Sequence, residues 1–309
     1  MGETSATFHS AEEASLAEEE SMRDMYNIFT VNGKSGELIT PLNVTQGDVV
    51  RLRLINAGYR SHAVHVPGTD IKVVSTDGQD INGPQVIKDK LVNLSPGERY
   101  DIEFTVDRSE SFYIDFHDNN KFNKQIKIPV YVDGNSQKFI TEEIENPELL
   151  DFTNYGTPSK ESFTLDMDYD EVYEIDLGIK LKSNSLQYTL NGEVFDELPS
   201  LKLTKDDLVQ ITYTNKTNVD HPMHLHGHFF QVIAKNGVAV SGATLSKDTL
   251  LLKPDESYTI AFKADNPGEW VQHCHELHHA AAGMMQKIEY KDFKSNYSPD
   301  PKNNFNNPE

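Results

Sequence analysis

The sequence predicts an all-β protein built from two tandem sandwich or barrel domains. Three observations carry that prediction: strand-length runs that alternate apolar and polar residues, turn signals between them, and an internal repeat covering most of the chain. Val49-Val50-Arg51-Leu52-Arg53-Leu54-Ile55 alternates as a half-buried strand does. Asp77-Gly78, Ser95-Pro96-Gly97 and Asp133-Gly134 punctuate the runs that follow. The repeat is more specific. At an offset of 159, Gly47–Asn56 aligns with Asp206–Asn215, and His62, His65, Gly68 and Gly78 fall on His221, His224, Gly227 and Gly237. Further on the offset is 158, which carries Pro96, Tyr100, Phe104 and Asp107 onto Pro254, Tyr258, Phe262 and Asp265. A repeat this long is a duplicated domain.

The elements follow in order. Residues 1–25 are rich in Glu and Ala and read as an acidic, solvated, partly helical arm, with Glu18 to Glu20 a solvated face. Residues 26–135 form the first domain. Residues 136–160 are acidic and irregular, with Pro147, Gly156 and Pro158, and read as a linker. Residues 161–292 form the second domain, and 293–309 a polar, Asn-rich tail, disordered or draped on the surface.

Composition narrows the function classes. The chain has 28 basic and 49 acidic residues, a formal charge of −21, which disfavours nucleic acid and anionic membranes as partners. No apolar run approaches the roughly 18 residues of a membrane span. The N-terminal Met1-Gly2-Glu3-Thr4-Ser5-Ala6 lacks the basic and apolar regions of a secretory signal, and Ala6 departs from a myristoylation pattern. One cysteine excludes an intrachain disulfide.

That cysteine sits in His273-Cys274-His275-Glu276-Leu277-His278-His279, with Met284 ten residues after it. A second run lies upstream at His221-Pro222-Met223-His224-Leu225-His226-Gly227-His228. Eight of the 12 histidines fall in these two runs. Thiolate, imidazole and thioether together are the ligands that copper prefers. In a strand over Gly268–His275, His273 and His275 share one face and Cys274 takes the other. Cys274, His221, His279 and Met284 then supply a two-His, one-Cys site with an axial Met, the geometry of an electron-transfer copper centre. His224, His226, His273 and His275 remain as nitrogen ligands on the other side. In the first copy Phe116 stands where Cys274 would be, and Pro67 where His226 would be, so the first domain is expected to lack copper.

The two runs resemble the C-terminal copper motifs of the multicopper oxidases, the laccase-like enzymes. Asn266-Pro267-Gly268-Glu269-Trp270, leading into the Cys strand, is similar to the same family. Ser95-Pro96-Gly97-Glu98-Arg99-Tyr100 resembles the copper-free middle domain of three-domain members. The resemblance covers roughly residues 25–290. It implies two tandem cupredoxin-like Greek-key domains, a type 1 copper that takes electrons from a small-molecule reducing substrate, and a trinuclear cluster that reduces dioxygen to water. Carried over, His221, Cys274, His279 and Met284 are the type 1 ligands, His224 the type 2 ligand, and His226, His273 and His275 the type 3 ligands. Cys274, His273, His275 and His279 carry the electron path. The family's location implies an extracellular or cell-envelope protein.

One departure stands out. The family's cluster takes eight histidines, four of them from His-x-His pairs of an N-terminal domain. The earlier histidines here, His9, His62, His65 and His117, show no His-x-His spacing. The chain therefore resembles the middle and C-terminal domains without the first. The missing histidines would come from an absent N-terminal domain or another subunit.

Few methionines and no Met-rich insert leave phenols or aromatic amines as the expected donors, entering at an exposed edge of His279 or His221. The alternatives are a type 1 electron-transfer protein without oxidase activity, and an inactive fragment. His62, His65 and His117 read as vestiges of the duplication, packed in the core or on the surface. His228 and His278 read as groups behind the ligands or exposed, and Met223 and Met285 as packing.

Overall fold

Alternation becomes strand in both copies of the repeat. Val49–Ile55 pairs antiparallel with Arg99–Thr105, with Arg51 and Arg53 turned to solvent. Its counterpart Leu208–Asn215 pairs antiparallel with Ser257–Lys263 and buries Val209, Ile211 and Tyr213 on one face. Successive side chains point to opposite faces, so one polarity pattern yields one inward row in each copy.

The computed structural model describes residues 10–118, 124–140, 148–159, 163–183, 185–195 and 197–295. They divide into two units. The first comprises Tyr26–Lys160 with Ser241–Leu245; the second comprises Met1–Met25, Glu161–Val240 and Ser246–Glu309.

In the first unit one sheet runs in the order Leu42–Val44, Lys124–Val132, Phe112–Asp118, His62–His65, Lys90–Leu94, Glu148–Leu149. Facing it is a sheet of Val49–Ile55, Arg99–Thr105, Asp70–Thr76 and Gln79–Asp80. The second unit repeats the plan. Leu201–Leu203, Met285–Tyr290, Glu269–Cys274, His221–Leu225 and Thr249–Leu252 form one sheet; Leu208–Asn215, Ser257–Lys263 and Phe230–Lys235 lie in the other. In both units the first strand of that order pairs in parallel with the second. This is the sandwich that the repeat predicts.

A buried asparagine marks the same corner in each. Asn56 donates to the Arg60 and Leu94 carbonyls and accepts from the Gly58 N–H. Asn215 donates to the Val219 and Leu252 carbonyls and accepts from the Thr217 N–H. Each bridges the end of its strand to the loop that leads into the next histidine strand.

Two expectations need correction. Residues 148–159 are not a linker: Glu148–Leu149 extends the first unit's sheet, and Tyr155 is 2% exposed inside that unit. Its hydroxyl donates to the Gln85 carbonyl and accepts from the Val73 N–H, while Phe152 stacks on Tyr100 at 5.2 Å. An aromatic anchor every few residues ties the segment down. Residues 141–147 and 160 of the expected linker lie outside the described residues.

The acidic arm is the second correction: it is helical, as expected, but docked rather than solvated. Ala11–Met25 is a helix, begun by Ser10 accepting from the Glu13 N–H at 3.1 Å, with Glu12 and Glu13 in its first turn. It packs on Glu171–Lys182 and Ser185–Leu190 of the second unit, burying Ala14 and Ser15. Small side chains permit that close approach, and the Ser15 hydroxyl donates to Asn218 Oδ1 at 2.8 Å. Of the polar tail, residues 296–309 lie outside the described residues, as does His9. No described helix is long and apolar enough to cross a membrane.

Candidate metal centre

Three neighbouring strands bring the two histidine runs together. His221–Leu225 lies between Thr249–Leu252 and Glu269–Cys274, with Met223 opposite Cys274 and His224 opposite His273. The strand ends at Cys274 rather than at His275. Alternation then separates the ligands into two groups.

The first group is a buried triangle. Cys274 Sγ lies 3.7 Å from His221 Nδ1 and 3.6 Å from His279 Nδ1, and the two nitrogens are 3.1 Å apart. Cys274 and His221 are 0% exposed and His279 1%. A point about 2 Å from all three atoms exists, close to ordinary metal–nitrogen and metal–sulfur bond lengths. Met284 is fully buried too, and its backbone holds both neighbours: Cys274 N–H donates to the Met284 carbonyl and Met284 N–H to the His279 carbonyl, each at 3.0 Å.

Both imidazoles are fixed from behind. Thr217 Oγ1 is 2.8 Å from His221 Nε2, and Thr217 is itself held by Asn215 Oδ1. Glu276 Oε2 is 2.9 Å from His279 Nε2. Glu276 also caps the helix Leu277–Ala281 by accepting from the His278 and His279 N–H groups. Such partners orient a ligand ring and select its tautomer. Sequence reading missed Thr217 and Glu276. Their only signals were adjacency to the ligands and, for Glu276, a helix-capping position.

Charge around the triangle is one-sided. Burial pushes the Cys274 thiol well above its ordinary range, and Glu276 adds to the effect. Burial holds His221 well below its ordinary value, with His279 reinforcing it. Burial tends to raise the Glu276 carboxyl, but its His279 contact and two backbone donors outweigh that and leave it lowered. Glu19, 3.8 Å from His279 Nε2, is raised by burial, and Asp220 is raised by burial to about 6. Tyr188 stacks on His279 at 3.8 Å and donates its hydroxyl to Glu18. A soft donor set ringed by carboxylates fits a cation, copper above others. The Glu18–Glu20 run is thus not simply a solvated face, and neither ligand histidine has the exposed edge expected from sequence.

The second group is more open. His226 Nε2 faces His273 Nε2 at 2.9 Å, and the rings of His224 and His275 lie 5.7 Å apart. His224 Nδ1 is held by the Asp248 carbonyl and Thr249 Oγ1, and His273 Nδ1 by the Cys274 carbonyl. Burial lowers His273 to about 4, so its imidazole is neutral, the ligand form. His228 belongs to neither group: it is buried against Tyr290, whose hydroxyl is 2.6 Å from its Nε2. Met223 is buried, whereas Met285 is only half-buried.

The loop between His226 and His228 is clamped by the turn before the Cys strand. Trp270 Nε1 donates to the Asn266 carbonyl, and Asn266 Nδ2 donates to the Gly227 carbonyl. Gly227 has φ +77°, and a Cβ there would stand 2.5 Å from the Trp270 ring. Gly227→Ala is therefore expected to lose about 1–3 kcal/mol of stability, from the left-handed backbone alone. An unchanged denaturation midpoint would contradict this backbone strain.

Two sandwich units with the same core strand order, one carrying a buried thiol–imidazole triangle, define a cupredoxin-type metal protein. Comparison with known proteins agrees. Two family models described as multicopper oxidase match residues 4–136 and 147–294. The multicopper oxidase MmcO of Mycobacterium tuberculosis is 28% identical over 273 residues, covering 86% of this chain and 51% of that protein. The iron transport multicopper oxidase FET3 of Saccharomyces cerevisiae is 34% identical over 113 residues, 30% of this chain and 18% of that protein. The crystal structure of Fet3p, a multicopper oxidase that functions in iron import, superposes with a TM-score of 0.70 at 20% identity, covering 88% of this chain and 63% of that one. The chain belongs to the multicopper oxidase family. It spans about half the length of MmcO.

Proposed function

We propose that this chain carries the donor-side copper centre of a laccase-like oxidase, together with half of the ligands for its dioxygen-reducing cluster. Copper supplies one-electron chemistry at the thiolate site and dioxygen reduction at the four-histidine site. The reading rests on the triangle of Cys274 Sγ, His221 Nδ1 and His279 Nδ1, joined covalently to two histidines of the other group. Cys274 would provide the thiolate, His221 and His279 the imidazoles, and Met284 a thioether for the copper. The bonded neighbours His273 and His275 lead from Cys274 to His224 and His226. Four further histidines are required from another cupredoxin domain or another subunit.

Phenols and aromatic amines are the first donors to test. A second reading is favoured by one observation: Glu19 and Glu276 flank His279, and Asp220 adds negative charge. That field favours a cationic donor. The relative named for iron transport makes ferrous ion the first cation to try. Glu19→Gln is expected to slow reduction of the oxidised centre by ferrous ion while leaving reduction by hydroquinone unchanged. Equal slowing of both would remove the cationic reading.

The function is tested by copper quantitation, electron paramagnetic resonance and oxygen uptake on one sample. The isolated chain should show a narrow-hyperfine signal and little oxygen uptake. Full four-copper loading with rapid uptake would overturn the half-cluster reading. Copper uptake should also release a proton near neutral pH, because burial keeps the metal-free Cys274 thiol protonated. Apparent affinity should accordingly rise with pH. A pH-independent affinity would mean that the thiolate is not a ligand.

A further inference from the structure

A second convergence of ligating atoms lies in the first unit, where sequence reading expected only packed vestiges. His65, Asp115 and His117 are all buried, and one ligand atom from each lies within 4.8 Å of the other two. His62 does pack as expected, edge-on to Phe29 and Phe116. His65 does not. It is 2% exposed, and neither ring nitrogen has a hydrogen-bond partner. An Asp89 oxygen stands 3.6 Å from its Nε2, beyond hydrogen-bond reach.

Strand register produces the cluster. His65 lies directly opposite Asp115, and Asp115 and His117 share a face two residues apart. The second unit has the same register, with His224 opposite His273. The repeat carries His65, Asp115 and His117 onto His224, His273 and His275. The first unit thus keeps a ligand frame at the corresponding place, with a carboxylate in one imidazole position. Burial, then His117, lowers His65 to about 4, so the ring is neutral. A neutral buried imidazole with no hydrogen bond costs stability until something accepts its lone pair.

We propose that His65, Asp115 and His117 form a mononuclear site for a divalent first-row cation, zinc above others, with Asp89 at its rim. Two imidazoles and one or two carboxylates, with no thiolate, are a zinc donor set and not a cuprous one. The carboxylates also offset the cation's charge. The site is chemically distinct from the Cys274 centre.

Cobalt(II) reports on it spectroscopically. The Cys274→Ser chain is dialysed against cobalt, beside the same chain carrying His65→Phe or His117→Phe. Each added substitution is expected to remove one bound cobalt, with its ligand-field bands, leaving the rest unchanged. Unchanged stoichiometry in both would overturn the site. Should either substitution prevent folding, anomalous scattering from zinc-soaked crystals of the unaltered chain decides. A peak within bonding reach of His65 and His117 supports the site, and its absence refutes it.

Discussion

Replacing Cys274 by serine is expected to abolish the intense visible thiolate-to-copper band completely and to stop electron delivery to the histidine group. Cys274 is the only cysteine in the chain and is 0% exposed, so no other thiolate can substitute. A serine hydroxyl is a hard donor that stays protonated in this setting, so the triangle loses the member that selects copper. The change is nearly isosteric, and the Cys274 N–H keeps its bond to the Met284 carbonyl. The fold should therefore persist, as circular dichroism and the unfolding midpoint can check. The four-histidine group should still bind metal. A variant that keeps the visible band would place the blue centre elsewhere and end the assignment.

Glu276→Ala should have the next largest effect, because one side chain does two tasks. It caps the helix Leu277–Ala281 and holds His279 Nε2. Loss of the cap should cost about 1 kcal/mol of stability. Loss of the ring contact should weaken copper binding about 10–100-fold. Glu276→Gln separates the two, since its single amide oxygen still accepts from one of the two backbone N–H groups but carries no charge. It should recover part of the stability and little of the affinity. The pH dependence has a definite sign. Because the Glu276 carboxyl is held below its ordinary value, its contribution is complete above the ordinary carboxylate range. It disappears as pH falls through the lowered folded value. Chemical unfolding across acid pH should show that slope in the metal-free chain and lose it in Glu276→Gln. Equal copper affinity in all three proteins would mean that Glu276 only caps the helix.

Much of the architecture was legible because its signals are periodic. Alternation in Val49–Ile55 and Leu208–Asn215 marks strands, and the offsets of 159 and 158 survive as two sheets with the same strand order. The division of the candidate ligand side chains into two groups was legible for the same reason. His273 and Cys274 are consecutive in a strand and so address opposite faces. What failed was local composition. Residues 148–159 read as linker because Pro and Gly punctuate them, yet Tyr155 and Phe152 anchor them to the first unit. The Glu-rich arm read as solvated, yet Ala14 and Ser15 let it dock and place Glu18 and Glu19 beside Tyr188 and His279. A helix with only a few small apolar residues gives a faint periodic signal, while its docking depends on a surface formed by distant strands.

The sequence by itself determined where the candidate soft-metal side chains cluster, that the domain is duplicated, and that only one copy has a cysteine. Those facts are written in residue identity and spacing. Tertiary structure decided which atoms meet: that Nδ1 rather than Nε2 of His221 and His279 faces Cys274, that Thr217 and Glu276 hold those rings, and that His65, Asp115 and His117 converge. Ring orientation and burial depend on packing between segments remote in sequence. Spacing along the chain carries no record of them.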